Sequence, residues 1–154
     1  MAARQFSNPF VALGVLAVGL LSAAPLMAND IAQIKVANGT VIIERGTQRI
    51  MGVSGVRLQQ SDVVRTGIDG SVGITFVDNT VMSAGPSSVV ALDRFAFNST
   101  THEGRLETSV RSGTLSVVSG KIAKQSPDAM TVKTPATILG VRGTEFLVQV
   151  AETK

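Results

Sequence analysis

Between residues 33 and 150 apolar and polar residues alternate in short runs, and Gly, Asn, Asp, Ser or Pro bounds each run. A period of two sends successive side chains to opposite faces of an extended chain. A helix cannot use that pattern, because its apolar stripe recurs every three to four residues. In Ser71-Val72-Gly73-Ile74-Thr75-Phe76-Val77 the apolar set Val72, Ile74 and Phe76 falls on one face. Asp78-Asn79 follows as a tight turn, since both residues tolerate left-handed backbone, and Thr80-Val81-Met82-Ser83 starts the return strand. Asn38-Gly39 predicts a second hairpin, between Ile34-Lys35-Val36 and Val41-Ile42-Ile43. Ser112-Gly113 predicts a break between two further strands, Leu106–Val110 and Thr114–Val118. Val90, Leu92, Phe95 and Phe97 line a strand before the loop at Asn98–Thr101. Met130-Thr131-Val132 and Glu145–Val150 close the pattern, and the polar stretch 120–129 reads as an exposed loop. The expected class is all-β, as a sandwich, a barrel or a stack of short strands.

The first 28 residues follow another rule. Arg4 and the α-amino group are positive, and no charge then occurs from Pro9 to Ala28. A short basic region, an apolar region and a small-residue end after Pro25 predict a signal helix, cleaved between Ala28 and Asn29. The other reading is an uncleaved inner-membrane anchor, since a span needs roughly 20 apolar residues. Both readings place residues 29–154, one domain, outside the cytoplasm, as a periplasmic or secreted protein of the Gram-negative type.

Composition removes several chemistries. With no Cys, thiol catalysis and thiolate metal sites are excluded. Without Arg4, the 14 Lys and Arg become 13 against 11 Asp and Glu, a net charge of +2. Lys35, Arg45, Arg49, Arg57, Arg65, Arg94, Arg105 and Arg111 are scattered along the chain, and Lys121 and Lys124 form the tightest pair. Nucleic-acid binding calls for a clustered basic face with stacking aromatics, and the chain has no Trp or Tyr. His102 is the one histidine, in a polar loop beside Glu103, so neither a metal site nor a Ser-His-Asp triad has its parts. Nucleophile-elbow, phosphate-loop and dinucleotide-binding spacings are missing as well. No cofactor and no enzymatic activity are expected.

Two stretches stand apart: Ser61-Asp62-Val63-Val64-Arg65-Thr66-Gly67-Ile68-Asp69-Gly70-Ser71, running into Ile74-Thr75-Phe76-Val77-Asp78-Asn79-Thr80, and Val132-Lys133-Thr134-Pro135-Ala136-Thr137-Ile138-Leu139-Gly140-Val141-Arg142-Gly143-Thr144-Glu145-Phe146. Together they resemble the FecR-like periplasmic domain, over about residues 34–150. Asn79 stands where that family usually has Gly and serves the same turn. Taken on their own, Gly140 and Gly143 would let another strand approach closely. Pro135 would start an edge and hold Thr134 extended. Arg142 would be partly covered, with Asp62 as its expected acceptor. The residues carrying the resemblance, namely Asp62, Thr66, Gly67, Asp78, Thr134, Pro135, Gly140, Arg142, Gly143, Thr144 and Phe146, are expected to be structural.

The resemblance implies an all-β domain built of stacked short strands, β-solenoid-like, with a β-sandwich or roll as the alternative. It also implies protein contact outside the cytoplasm. Only eight residues precede the apolar stretch, so the family's cytoplasmic regulatory segment is not expected here. The expected function is a non-enzymatic binding or signalling-accessory module that docks on another envelope protein. The alternative is a binder of peptidoglycan or another envelope polysaccharide.

Overall fold

The computed structural model of the chain describes residues 29–142 and 144–151. The expected signal helix with Ala28, and Gly143, lie outside the described residues, while Asn29 is exposed coil. The described chain is nearly all strand: β1 (Asp30–Asn38), β2 (Val41–Arg45), β3 (Gln48–Met51), β4 (Arg57–Gln59), β5 (Val63–Thr66), β6 (Ser71–Phe76), β7 (Val81–Ala84), β8 (Val89–Phe97), β9 (Gly104–Val118), β10 (Met130–Lys133), β11 (Ile138–Gly140) and β12 (Glu145–Val150).

The registers show what these strands build. β7 and β8 pair in succession with β9, from Val81 opposite Val118 to Phe97 opposite Gly104. β6 and β5 pair in the same way with β7 and β8. β1 and β2 pair with β6 and β5, and β4 and β3 pair with β1 and β2. Each of these chain segments is thus one long strand bent in its middle. The bends fall at 52–56, 38–40, 66–70, 85–88 and 112–114, side by side, and form a crease across the sheet. β12 lies antiparallel to the far half of β9, while β10 runs parallel to its near half and carries β11 on its other side. The result is a curled antiparallel sheet, a half-barrel. The all-β class holds, and the arrangement is the roll named beside the stacked-strand expectation.

The core lies inside the curl. Val72, Ile74 and Phe76 are all buried, as alternation predicts, together with Ile34, Ile43, Val64, Val90, Leu92, Leu106, Leu115 and Val117. The turn at Asp78-Asn79 forms as expected: Asn79 has φ +67°, and its N–H donates to the Phe76 carbonyl (3.0 Å).

Two glycine signals act differently from expectation. Asn38-Gly39 makes no hairpin, because β1 and β2 do not pair with each other. Instead Gly39 (φ +61°) turns the chain across the crease against the backbone of Asp69. Ser112-Gly113 likewise does not separate two strands. β9 runs through it unbroken and bends there, with Gly113 at φ +84°. A local φ above zero permits either outcome, and the neighbouring strand decides between them. The stretch 120–129 also departs from the loop reading. It holds a short helix α1 (Lys121–Gln125) and a 3₁₀ turn (Pro127–Ala129), and Ile122 is buried against the core.

A Cβ at Gly113 would meet the side chain of Ser88, whose hydroxyl donates to the Thr114 carbonyl (3.2 Å) and accepts from its N–H (3.0 Å). Gly113→Ala should therefore cost about 3 kcal/mol through backbone strain plus overpacking. Gly46→Ala is the control, since Gly46 has φ +57° but open space around it; it should cost about 1 kcal/mol. Urea midpoints of the two variants measure the difference, and equal losses would mean that the crease tolerates a side chain.

Candidate functional site

The residues singled out from the sequence are brought together in two places, the crease and the mouth of the curl. At the crease, buried Thr66 donates its hydroxyl to the Gly85 carbonyl (2.6 Å) and accepts from the Ser88 N–H (2.9 Å). Gly67 donates its N–H to Thr40 (2.8 Å), and its carbonyl accepts from Ser87 (2.9 Å). Three bent strands are pinned to one another there.

At the mouth, Asp62 is fully buried and accepts two bonds from Arg45, Nε to Oδ1 (2.9 Å) and Nη2 to Oδ2 (2.7 Å). The Gln59 N–H adds a third (2.8 Å). Arg45 also donates to the Arg57 carbonyl (2.9 Å), and Arg57 is ion-paired with Asp30 (3.1 Å). This cluster draws the two ends of the bent strand β1–β2 together. The Asp62 carboxylate holds the Arg45 guanidinium above its ordinary range, chiefly by that hydrogen bond.

Asp78, also fully buried, accepts from the N–H (3.0 Å) and hydroxyl (2.7 Å) of Thr80 and from the Ile122 N–H (3.3 Å). It fastens α1 to the β6–β7 turn. A buried carboxylate needs such donors, so three of them make the turn rigid.

The C-terminal motif behaves differently. Arg142 does not reach Asp62. It stands on the surface, 74% exposed, and bonds Asp128 through Nε (3.0 Å) and Nη2 (2.8 Å). The acceptor expected for it, Asp62, is held by Arg45 at the mouth. Gly140 pairs with Thr131 of β10, but a Cβ there would meet open space, so nothing packs on that side of it. Thr134 closes the β10–β11 turn with Thr137, and Pro135 lies inside that turn rather than at the start of an edge. The Thr144 carbonyl accepts from Ser119 (2.8 Å), and Phe146 packs partly buried on the core. His102 stacks on Phe97 with centroids 6.2 Å apart. Among the described residues no three His, Asp or Glu side chains are grouped to hold a metal ion.

Two surface features escaped the sequence reading. The outer face of the half-sheet built by β3, β2, β5, β8, the near half of β9 and β10 carries Arg49, Arg65, Arg94, Arg105, Arg111 and Lys133. Scattered in sequence, these residues share a side, because Leu106, Thr108 and Val110 point inward and Arg105, Glu107, Ser109 and Arg111 outward. The alternation itself was the signal for this. The other half-sheet presents Val36, Thr75, Val81, Ser83, Val118 and Leu147 in its middle, with Lys35 and Arg57 toward its β1–β4 side and Glu145 at the start of β12. Next to it, a groove of about 520 Å³ runs between the β10–β11 turn and β12, lined by Pro135, Leu139, Leu147, Val148 and Val150 among others.

Asp62→Ala should cost about 3 kcal/mol, because it strands a partly buried guanidinium. Arg142→Ala should stay within about 0.5 kcal/mol, as expected for an exposed pair. Thermal melts of both variants test the contrast, and the reverse order would make Arg142 the latch. Acid should act through Glu44 and Glu107. Both titrate below the ordinary glutamate range, Glu44 through its hydrogen bond with Arg65 and Glu107 through bonds from Arg105 and then Lys133. A lowered folded-state pKa gives stability that is complete above about pH 5 and is lost as pH falls through the lowered values. The urea midpoint should drop between about pH 7 and about pH 3, and less steeply in Glu107→Gln. A parallel slope in that variant would remove Glu107 from the account.

The family model described as FecR protein matches residues 62–154. The chain has no significant match among curated proteins or solved structures. Among the described residues no helix is long and apolar enough to cross a membrane. The match opens at Asp62, the carboxylate that closes the mouth, and takes in Thr66, Asp78 and the C-terminal motif. The chain belongs to the FecR family, whose domains are non-enzymatic and serve signalling and regulation in the cell envelope.

Proposed function

We propose that the chain is a periplasmic binding or signalling-accessory module that docks on another envelope protein by accepting one of its strands beside β12. The observation that carries this reading is the edge of β12, which among the described strands pairs with β9 alone. Sheets normally protect their edges with short strands, Lys, Pro or bulges. Here β4 and β11 have three residues each, and β3 has four, one of them Arg49. β12 has six, in unbroken register with β9, and contains no Lys, Arg or Pro. The uncharged groove lies along its open side.

The ladder specifies which groups an incoming strand would meet. The Thr144 carbonyl points to β9, so alternation turns Phe146, Val148 and Val150 the same way. The N–H and C=O groups of Leu147 and Gln149 then face the open side. Main-chain pairing with these would supply affinity, and the apolar groove would choose the side chains.

Gln149→Pro is the test, because Pro is tolerated where an edge N–H faces solvent. Its melting temperature should stay within about 4 °C of the parent, a loss of under about 1 kcal/mol. Crosslinked envelopes should yield a specific protein with the parent and none with the variant. If Gln149→Pro recovers the same protein, or the parent recovers none, the edge is not the docking surface.

A further inference from the structure

The cationic outer face has a second use. Six cations, Arg49, Arg65, Arg94, Arg105, Arg111 and Lys133, stand there against three anions, Glu44, Asp93 and Glu107. Glu44 lies between Arg49 (3.7 Å) and Arg65 (2.9 Å). Glu107 lies between Arg105 (2.5 Å) and Lys133 (3.2 Å). Each carboxylate thus leaves charge over, and Asp93 is engaged by the hydroxyl of Ser109. Arg94 and Arg111 make no ion pair with any described residue.

The geometry narrows the partner. From β3 to β10 the face crosses six strands, five spacings of about 4.8 Å, or roughly 24 Å in all. The half-barrel makes this face convex. A flat bilayer would touch a convex cationic face along a line only, whereas a flexible polyanion can follow it. There is no Trp or Tyr for bases to stack on, which removes the usual nucleic-acid platform. Guanidinium groups suit phosphate, sulfate and carboxylate groups alike.

We propose that this face binds an anionic polysaccharide, lying across the strands from Arg49 to Lys133. The surface is separate from the β12 edge, so this inference stands or falls independently of strand docking. Binding is electrostatic and distributed, so it weakens steeply with salt.

The test uses the residue 29–154 chain with dextran sulfate, neutral dextran and phosphatidylglycerol vesicles. Dextran sulfate should bind, neutral dextran should not, and vesicles should bind at least tenfold more weakly than dextran sulfate. Arg94→Gln with Arg111→Gln should weaken dextran sulfate binding at least tenfold and lower the log affinity–log salt slope by about one per cation. Lys121→Gln with Lys124→Gln removes the same charge away from this face and should leave binding within about twofold of the parent. Circular dichroism of both double variants separates lost binding from lost fold, and because neither Arg94 nor Arg111 has an ion-pair partner to strand, both should keep the parent spectrum. Equal loss in the two double variants, no binding of dextran sulfate, or tighter binding to vesicles would overturn the proposal.

Discussion

The crease is the constraint on which the rest of this structure depends. Five long strands bend on one line, and a bent strand can keep its neighbours only if they bend beside it. Backbone hydrogen bonds would otherwise be broken at every crossing, each costing about 1–3 kcal/mol if left unsatisfied inside the fold. The chain meets this with direct bonds along the line: Gly52 to Val41 (2.9 Å), Gly67 to Thr40 (2.8 Å), Thr66 to Ser88 (3.0 Å) and Gly85 to Thr114 (3.1 Å). No strand can slip by one residue without carrying its bend off the line. The crease therefore fixes register as well as curvature, and alternation then decides which side chains enter the core.

Folding a sheet along a line brings its ends together, and the ends need a fastener. Asp62 and Arg45 provide it on one side, and Asp78 provides it on the other by holding α1 to the β6–β7 turn. Both carboxylates are fully buried, and both are satisfied by several donors. The family match begins at Asp62, yet Arg45 lies before it on β2. The clasp thus spans the matched region and the strands that precede it, and β1 fills the place between β4 and β6.

Much of this was legible in the sequence, and the part that was not has a consistent cause. Period two placed Val72, Ile74 and Phe76 in the core, and Asp78-Asn79 marked its turn. Gly39 and Gly113 were misread because a residue with φ above zero can end a strand or bend one. Only the partner strand, dozens of residues away, decides. A guanidinium needs an acceptor, but the sequence does not say which one: Asp62 pairs with Arg45, and Arg142 with Asp128. The cationic face was missed because Arg49, Arg65, Arg94 and Arg111 look dispersed along the chain. They come together only when the five strands β3, β2, β5, β8 and β9 are laid side by side. The alternate spacing of Arg105, Glu107, Ser109 and Arg111 against buried Leu106, Thr108 and Val110 was the one local sign of it.

Along β9 the crease also separates charged from uncharged outward residues. Before Gly113 its outward residues are Arg105, Glu107, Ser109 and Arg111; after it they are Thr114, Ser116 and Val118. A single strand therefore contributes charged groups to one half-sheet and uncharged groups to the other. Glu145 is the one charge on β12 and stands at its first position, so the stretch Leu147–Val150 can be covered without desolvating an ion, whereas the charges on the far half stay in water. An occupant beside β12 would extend the half-sheet of β9, β7, β6 and β1 without covering Arg65, Arg94 or Arg111. The bend that closes the core thereby also separates the two proposed surfaces, so a protein strand and an anionic polymer would not compete for one face.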